Sequence, residues 1–404
     1  MKILYFHQHF TTPEIGGGTR SYEFARKLIK RGHTVTMVCG KSFDLNLPRA
    51  FGKGIFRGII NGIDVIQIDL PYSNKDGIGK RAFTFVKFSI KSIQIALKEP
   101  YDLLFATSTP LTAGVPGIWM KVFGGERRKF VFEVRDLWPE LPKALGLRNP
   151  ILLWGMKLLE KISYQKADAC VSLSPGISEG IRRIVPEKLI EMIPNGCDLD
   201  LFRPGNREDL QIEGVSFNDT VAVFTGAHGI ANGLDAVLDA ALELKKRERS
   251  DIKIVFIGSG KLKTDLKTRA KAQGLKNCLF LDPVSKIELT KILGSVDVGL
   301  MILKNVPAFY YGTSPNKFFD YISAGIPVLN NYPGWISDLI LGAKCGMVVE
   351  PDNPLSFADA LIYFADHPIE GKVMGMNGRK LAENEFSRDI LSGKFVDFLE
   401  SVVN

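Results

Sequence analysis

Cysteine is scarce, with five residues in 404, at positions 39, 170, 197, 278 and 345. No two are spaced as metal ligands, and an odd number does not make a disulfide framework, so a reducing compartment is expected. Long apolar runs are missing too: nothing approaches the roughly 20 residues that cross a bilayer. The opening MKILYFHQHF reads as a strand and lacks the apolar core and small-residue cleavage site of a secretory leader. The expectation is a cytoplasmic protein that can still touch a membrane surface. No GxGxxG fingerprint follows a strand, and no loop ends in Gly-Lys-Ser/Thr, which argues against a dinucleotide oxidoreductase and a P-loop nucleotidase. No basic and aromatic module of a nucleic-acid binder is present. What remains is ordinary globular composition, 45% hydrophobic and 24% charged, which excludes a disordered, collagen-like or coiled-coil chain. Lys and Arg number 52 against 44 Asp and Glu, a net charge of +8. That excess suits anionic partners such as phosphates or lipid headgroups.

The length favours two domains. Short apolar runs bounded by turn residues recur at 2–6, 34–39, 64–69, 102–107, 129–134, 169–174 and 189–194, with helical segments separating most of them. This is the pattern of buried parallel strands in an α/β, doubly wound sheet. It restarts at Thr220, with strands expected at 221–226, 253–260, 278–282, 296–302, 327–330 and 346–350. The join, PNGCDLDLFRPGNRED (194–209), is rich in Pro, Gly, Asn and Asp and reads as a connector. The expected domains are 1–196 and 197–387, with an amphipathic helix at about 388–404 packing back on the first. Two such domains are expected to face a central cleft lined by the carboxyl ends of their strands.

Three segments carry candidate chemistry. Gly16-Gly17-Gly18 lies after the first strand and before the first helix, where glycine permits close backbone approach and a helix start offers N–H groups to an anion. The alternative is a flexible turn. In GTSPNKFFDYISAGIPV (312–328), the Ser314-Pro315-Asn316 turn opens a helix with Lys317 in its first turn. A lysine there opposes the helix dipole unless an anion binds beside it. Asp320 follows one turn later, on roughly the same face. A cation for phosphate and a carboxylate for ribose hydroxyls make a nucleotide-diphosphate grip; the alternative is a capped helix with solvated charges. His7-Gln8-His9 would turn both rings to one side of a strand, but no third ligand is visible, and no metal is expected.

The segment SPNKFFDYISAGIPVL (314–329) resembles the donor-binding signature of the retaining GT-B glycosyltransferases of glycosyltransferase family 4. GGGTRSYEFARKLIKRGHTVTMVC (16–39) is similar to that family's amino-terminal motif. IPNGCDLDLFRP (193–204) is similar to its connector and IGSGKLKTDL (257–266) to its second carboxyl-domain loop. FEVRDLWPE (132–140) most resembles the WbuB-type enzymes of bacterial surface-polysaccharide assembly, that is, of O-antigen and capsule.

The resemblance implies a role for each segment. Gly16, Gly17 and Gly18 would lie against the donor diphosphate and sugar. Lys317 and the backbone of Ser314, Pro315 and Asn316 would hold the phosphates. Asp320 would stand for the second glutamate of the family's E-x7-E motif, on the ribose, and the base would sit near Asp282 to Val284. The chain departs from the family where Gly312 replaces the first glutamate. Ala227 and Asn232 stand where an Arg and a Lys are usual, with His228 and Lys317 as candidate replacements. Arg135, followed by Asp136, takes the place of an active-site histidine. Arg135 and Asp136 are therefore the expected catalytic pair, the arginine for a phosphate or acceptor anion and the carboxylate to orient an acceptor hydroxyl. The alternative is a mutual salt bridge.

The implied reaction moves a sugar, expected to be an N-acetylated or deoxy hexosamine, from a UDP-sugar to a lipid-linked (polyprenyl-diphosphate) saccharide. It proceeds with retention and without a cofactor, on the cytoplasmic face of the inner membrane. An epimerase or hydrolase acting on the nucleotide sugar alone is the alternative. KRAFTFVKFSIKSIQIALK (80–98) puts Lys80, Thr84, Lys87, Lys91, Gln94 and Lys98 on one helical stripe. It reads equally as a core helix with one solvated face and as an interfacial helix on anionic lipid.

Overall fold

The computed structural model describes residues 1–403 apart from 16–17, 51–53, 74–75, 109 and 125–127. The chain divides into two compact units, Met1–Pro194 together with the chain from Asp389 onward, and Asn195–Arg388.

The first unit is built on eight strands: β1 (Lys2–Phe6), β2 (Thr34–Lys41), β3 (Ile55–Ile60), β4 (Ile63–Pro71), β5 (Leu103–Thr107), β6 (Lys129–Val134), β7 (Ala169–Ser172) and β8 (Leu189–Met192). Their order is β3-β4-β2-β1-β5-β6-β7-β8. Every pairing is parallel except β3 with β4. The central strands are apolar on both faces because helices cover both; all five residues of β5 are buried. The strand order reverses between β1 and β5, so the ends of those strands form the crevice where open α/β sheets bind ligands. Strand β3 is an addition to the sequence reading. It joins β4 through Asn61 and Gly62, both at positive φ (48° and 86°), the conformation of a two-residue hairpin turn.

Before the second unit, the described residues of this unit form α1 (Arg20–Lys30), α2 (Ile78–Lys98), α3 (Val115–Phe123), α4 (Glu140–Ala144), α5 (Pro150–Lys166) and α6 (Pro175–Ile184). In α1, Tyr22, Phe24, Ala25 and Leu28 are buried, the i, i+3 spacing of one apolar face. The C-terminal helix, Arg388–Val403, lies against α1 from Asp389 onward. Phe395 is fully buried, stacked on Phe24 at 4.2 Å and edge-on to Phe105 at 5.0 Å. Lys27–Asp389 and Arg31–Asp397 ion pairs frame the contact at 2.6 and 3.0 Å. Exposed pairs contribute little, whereas burying one phenylalanine side chain is worth about 1.5–3 kcal/mol, so the aromatic seam carries the docking.

The second unit holds a six-stranded, wholly parallel sheet: β9 (Thr220–Thr225), β10 (Ile252–Ile257), β11 (Cys278–Leu281), β12 (Val298–Met301), β13 (Val328–Asn330) and β14 (Gly346–Val348), ordered β11-β10-β9-β12-β13-β14. Its helices are α7 (Asp235–Lys246), α8 (Lys263–Ala272), α9 (Lys286–Ser295), α10 (Pro307–Tyr310), α11 (Asn316–Ala324), α12 (Trp335–Ala343), α13 (Pro354–Asp366) and α14 (Pro368–Leu381). Phe224, Ile254, Phe256, Leu300, Leu329 and Leu361 lie in the core. The order reverses between β9 and β12. Helix α11 packs over that point because β12 carries Gly299, where a Cβ would stand 2.5 Å from the Tyr321 ring. The Tyr321 hydroxyl in turn accepts from the Thr225 N–H at 3.1 Å.

Candidate functional site

At the β9–β12 reversal, α11 delivers Lys317. Its ammonium lies 4.0 Å from the centre of the Phe224 ring and donates to Asn232 Oδ1 at 3.1 Å. The Asn232 amide donates to the Ala227 carbonyl at 2.7 Å. Lys317 therefore reaches the place where the resemblance implies an Arg and a Lys and the sequence has Ala227 and Asn232. No carboxylate among the described residues pairs with it. Withdrawal from water pulls its pKa down to about 7, since a cation taken from solvent without a counter-ion favours its neutral form. An anion placed beside it would reverse that shift.

The turn before α11 is held firmly. Ser314 Oγ accepts from the Asn195 N–H at 3.0 Å, and its carbonyl accepts from the Asn195 side chain at 2.6 Å. Pro315 is extended (ψ 126°) and hands the chain to the exposed Asn316 at the helix start.

Asp320 faces a different set of neighbours from Lys317, although the two are one turn apart. Burial pushes its pKa up to about 6; Lys286 and Arg388 oppose that shift and Asp198 adds to it. Asp198 pairs with Arg388 at 2.7 Å and with Lys286 at 3.5 Å. The expected single face shared by cation and carboxylate is thus two adjoining environments.

Asp282 projects into solvent after β11, where Lys263 binds it at 2.7 Å and keeps its pKa below the usual carboxylate range. The same ammonium donates to the carbonyls of Gly258 and Leu281 at 2.8 and 2.7 Å. Val284, half-buried, follows just before Ser285, whose hydroxyl caps α9 by accepting from the Glu288 N–H at 3.2 Å.

His228 departs from expectation. Its ring is buried among Phe224, Phe256 and Phe280. Burial first, then Lys263, lowers its pKa. Its place among three aromatic rings disfavours the charged form that a replacement for the missing cation needs.

In the first unit the ends of β1, β5 and β6 converge. Arg20, from the first turn of α1, binds Glu133 at 2.9 Å, and Thr107 donates to the same carboxylate at 2.6 Å. Arg20 also donates to the Ile193 carbonyl at 2.6 Å. Strand β1 stops at Phe6, so strand alternation does not govern His7-Gln8-His9. His7 and Gln8 are buried, and His7 Nδ1 and both Gln8 amide atoms lack partners. His9 is half-buried, with Nδ1 2.6 Å from Ser42 Oγ. Arg135 is anchored by its backbone N–H, which donates to Ser108 Oγ at 2.8 Å. No ion pair joins it to Asp136, whose pKa is raised by burial despite the nearby Arg135 charge, so the strand-closing salt bridge does not form. Gly18 is exposed with open space beside its Cα; Gly16 and Gly17 lie outside the described residues. Among the described residues, no three His, Cys, Asp or Glu side chains are grouped to hold a metal ion.

Helix α2 differs from the stripe read in its sequence. Thr84 is buried and donates to the Lys80 carbonyl at 3.0 Å. Phe83, Val86, Ile90 and Leu97 are exposed beside Lys87, Lys91 and Lys98. Helices α2, α3 and α5 pack side by side. The latter two expose Trp119, Phe123, Ile151 and Trp154. No helix among the described residues is long and apolar enough to cross a membrane.

Sequence reasoning did not single out Lys263, Lys286, Arg388 or the Asn232 bridge. Lys263 sits in a motif already noted, but Arg388 meets Asp198 across 190 residues, which no local pattern reveals.

The chain matches two family descriptions, Glycosyltransferase Family 4 over residues 15–201 and Glycosyl transferases group 1 over residues 219–367. It is 25% identical over 221 residues to a GDP-mannose-dependent monoacylated alpha-(1-6)-phosphatidylinositol monomannoside mannosyltransferase of Corynebacterium glutamicum. That match spans 52% of this chain and 56% of that protein. In structure it is similar to the sucrose-phosphate synthase of Thermosynechococcus elongatus (TM-score 0.79, 17% identity, 99% of this chain and 98% of that one). It is also similar to Anabaena HepE in complex with UDP (TM-score 0.70, 16% identity, 99% and 100% covered).

Proposed function

We propose, for a chain that is glycosyltransferase family 4-like and of the GT-B fold, that it transfers a sugar from a UDP-sugar to a lipid-linked saccharide with retention of configuration. The observation that carries the reading is Lys317: an unpaired, desolvated ammonium at the sheet reversal of the second unit, in the first turn of a helix. Such a group gains most from a phosphate. Asp320, one turn on, is the carboxylate for ribose hydroxyls, and the loop of Asp282 and Val284 borders the base. Uracil accords with the UDP carried by HepE; guanine is the competitor, after the donor named for the Corynebacterium relative.

In the reaction the bond from the anomeric carbon to the leaving phosphate oxygen breaks. The bond from that carbon to the acceptor oxygen forms on the same face. The acceptor proton passes to the departing phosphate, whose growing charge Lys317 and the α11 N–H groups stabilise. Arg135 and Asp136 act on the acceptor side. The transferred sugar is an N-acetylated or deoxy hexosamine, in keeping with Gly312 in place of a polar sugar-binding carboxylate, and the product serves surface-polysaccharide assembly.

A lipid-linked acceptor gives the exposed face of α2, α3 and α5 a purpose. Helix α2 carries Lys80, Arg81, Lys87, Lys91 and Lys98 and no acidic residue, which suits anionic lipid, while its exposed apolar residues and the tryptophans suit the interfacial layer.

The test is a thermal-shift screen against UDP, GDP, ADP, UDP-sugars and NAD with wild type, Lys317→Ala and Asp320→Ala. A UDP-selective rise in melting temperature that both variants lose is expected, because ligand binding stabilises by mass action. A response to NAD, or to no nucleoside diphosphate, overturns the reading.

A further inference from the structure

We infer that Lys263 is a positioning residue for the base end of the donor site: its ammonium ties the carboxyl ends of β10 and β11 together and so fixes the loop of Asp282 to Val284. The inference rests on the donor reading for what that loop receives; the tie itself stands on contacts within the second unit.

Helix α8 opens with Lys263. A cation in a first turn opposes the helix dipole, and Lys317 does the same at the start of α11. The two lysines resolve that conflict differently. An ammonium carries three N–H donors. Lys317 directs one to Asn232 and meets no carboxylate among the described residues. Lys263 directs all three to protein: to the Gly258 carbonyl at 2.8 Å, the Leu281 carbonyl at 2.7 Å and Asp282 Oδ1 at 2.7 Å. Its side chain is 14% exposed, whereas that of Asp282 is 95% exposed. A saturated, mostly buried ammonium has no donor left for a ligand, so its action falls on the loop.

Strands β10 and β11 pair as far as Ile257 and Leu281. Beyond that register the Gly258 N–H reaches the Leu281 carbonyl at 3.3 Å, longer than the usual length of about 2.9–3.0 Å. Lys263 takes over where the ladder weakens. Without it, two carbonyls and a carboxylate would face one another around a single point with no cation between them.

On its other side Gly258 approaches the loop after β9 so closely that a Cβ there would stand 2.0 Å from the Gly226 carbonyl oxygen. The His228 N–H donates to the Ser259 carbonyl at 2.9 Å, and the Leu262 N–H to the His228 carbonyl at 3.0 Å. A Cβ on Gly226 would in turn lie 3.5 Å from Lys317 Cε. The ends of β9, β10 and β11 thus form one backbone rim, with Lys317 at one end and Asp282 at the other. A nucleoside diphosphate whose phosphates rest on Lys317 extends its base toward the Asp282 end, where Lys263 sets the position of the loop. Contact with the phosphates does not depend on that end, so loss of Lys263 should separate the two parts of the ligand.

The experiment titrates the full chain by calorimetry with UDP, GDP and inorganic pyrophosphate, using wild type, Lys263→Met, Lys263→Gln and Lys317→Ala. Melting temperature and amide exchange of residues 258–260 and 281–284 are measured on the ligand-free proteins. Lys263→Met should weaken UDP about tenfold or more, as expected for lost hydrogen bonds to a charged group, and leave pyrophosphate within about twofold. It should also bring UDP and GDP toward equal affinity and speed exchange in both loops. Lys263→Gln, which keeps two donors and loses the charge, should fall between Lys263→Met and wild type; it carries the comparison if Lys263→Met does not fold. Lys317→Ala should instead weaken pyrophosphate together with UDP and leave exchange in the two loops as in wild type. Unchanged UDP affinity in the Lys263 variants overturns the inference. So does equal weakening of UDP and pyrophosphate, which would make Lys263 a residue of the fold alone. Should wild type bind neither nucleotide, the donor reading fails and amide exchange decides the tie: unchanged exchange in Lys263→Met overturns it too.

Discussion

The Lys317 ammonium sits 4.0 Å above the Phe224 ring and 3.1 Å from Asn232 Oδ1. A cation is thereby held over an aromatic face and one neutral amide. The cation–π contact is worth about 0.5–2 kcal/mol, too little to offset the withdrawal of an ammonium from water. The pKa near 7 records the deficit.

That deficit has a stability signature. Between about pH 7 and the ordinary lysine value of 10.5, the unfolded chain holds a proton that the folded one releases, so this group makes stability rise with pH. Lys317→Met removes the penalty. Its melting temperature should exceed that of wild type at pH 6, and the gap should close by pH 10. The same variant should lose its response to UDP. A variant less stable than wild type at pH 6 would contradict the account.

Asp320 and Lys317 can be told apart by ligand. If the carboxylate holds ribose hydroxyls, Asp320→Ala should weaken UDP binding about tenfold or more, since hydrogen bonds to charged groups contribute about 1.5–3 kcal/mol. Pyrophosphate binding should be unaffected by that change, whereas Lys317→Ala should weaken both ligands. Equal loss of both ligands in Asp320→Ala would place the carboxylate on the phosphates or on the fold.

In the first unit, Glu133 is fully buried and Arg20 nearly so. Removing one partner of a buried pair leaves an uncompensated charge and costs about 3–5 kcal/mol. Glu133→Ala should lower stability by that amount in urea unfolding, and Thr107→Val by about 1.5–3 kcal/mol, the value of one hydrogen bond to a charged group. A change below 1 kcal/mol in Glu133→Ala would mean that the pair is solvated.

The exposed face of α2 predicts binding to vesicles. Each lysine near an anionic surface contributes about 1 kcal/mol, so replacing Lys80, Lys87 and Lys91 together by glutamate should lower partition onto phosphatidylglycerol vesicles at least a hundredfold. Sedimentation measures it. Equal, negligible pelleting of both proteins would remove the membrane role.

Much of the architecture was legible because parallel strands buried on both faces announce themselves as short apolar runs, as in KILYF and LLFAT. Strand β3 escaped because Arg57 and Gly58 interrupt the apolar run of IFRGII, although the Asn61-Gly62 turn that pairs it with β4 was written in the sequence. The position of Lys317 in a helical first turn was legible; its contact with Asn232, 85 residues away, was not. His228 misled for a related reason. A histidine in a glycine-rich loop looks available, and only the packing of three phenylalanines from β9, β10 and β11 shows it to be interior.

Phe395 has a bearing on how the chain is made. It fills the space between Phe24 and Phe105, so part of the first unit's core comes from residues that follow the whole second unit in the chain. Domains that emerge early can fold while the rest is still being translated. Here the amino-terminal unit would wait, with the faces of α1 and β5 uncovered, until some 370 residues later the closing helix leaves the ribosome. Of the two units, the one begun first is closed only after the other has been made.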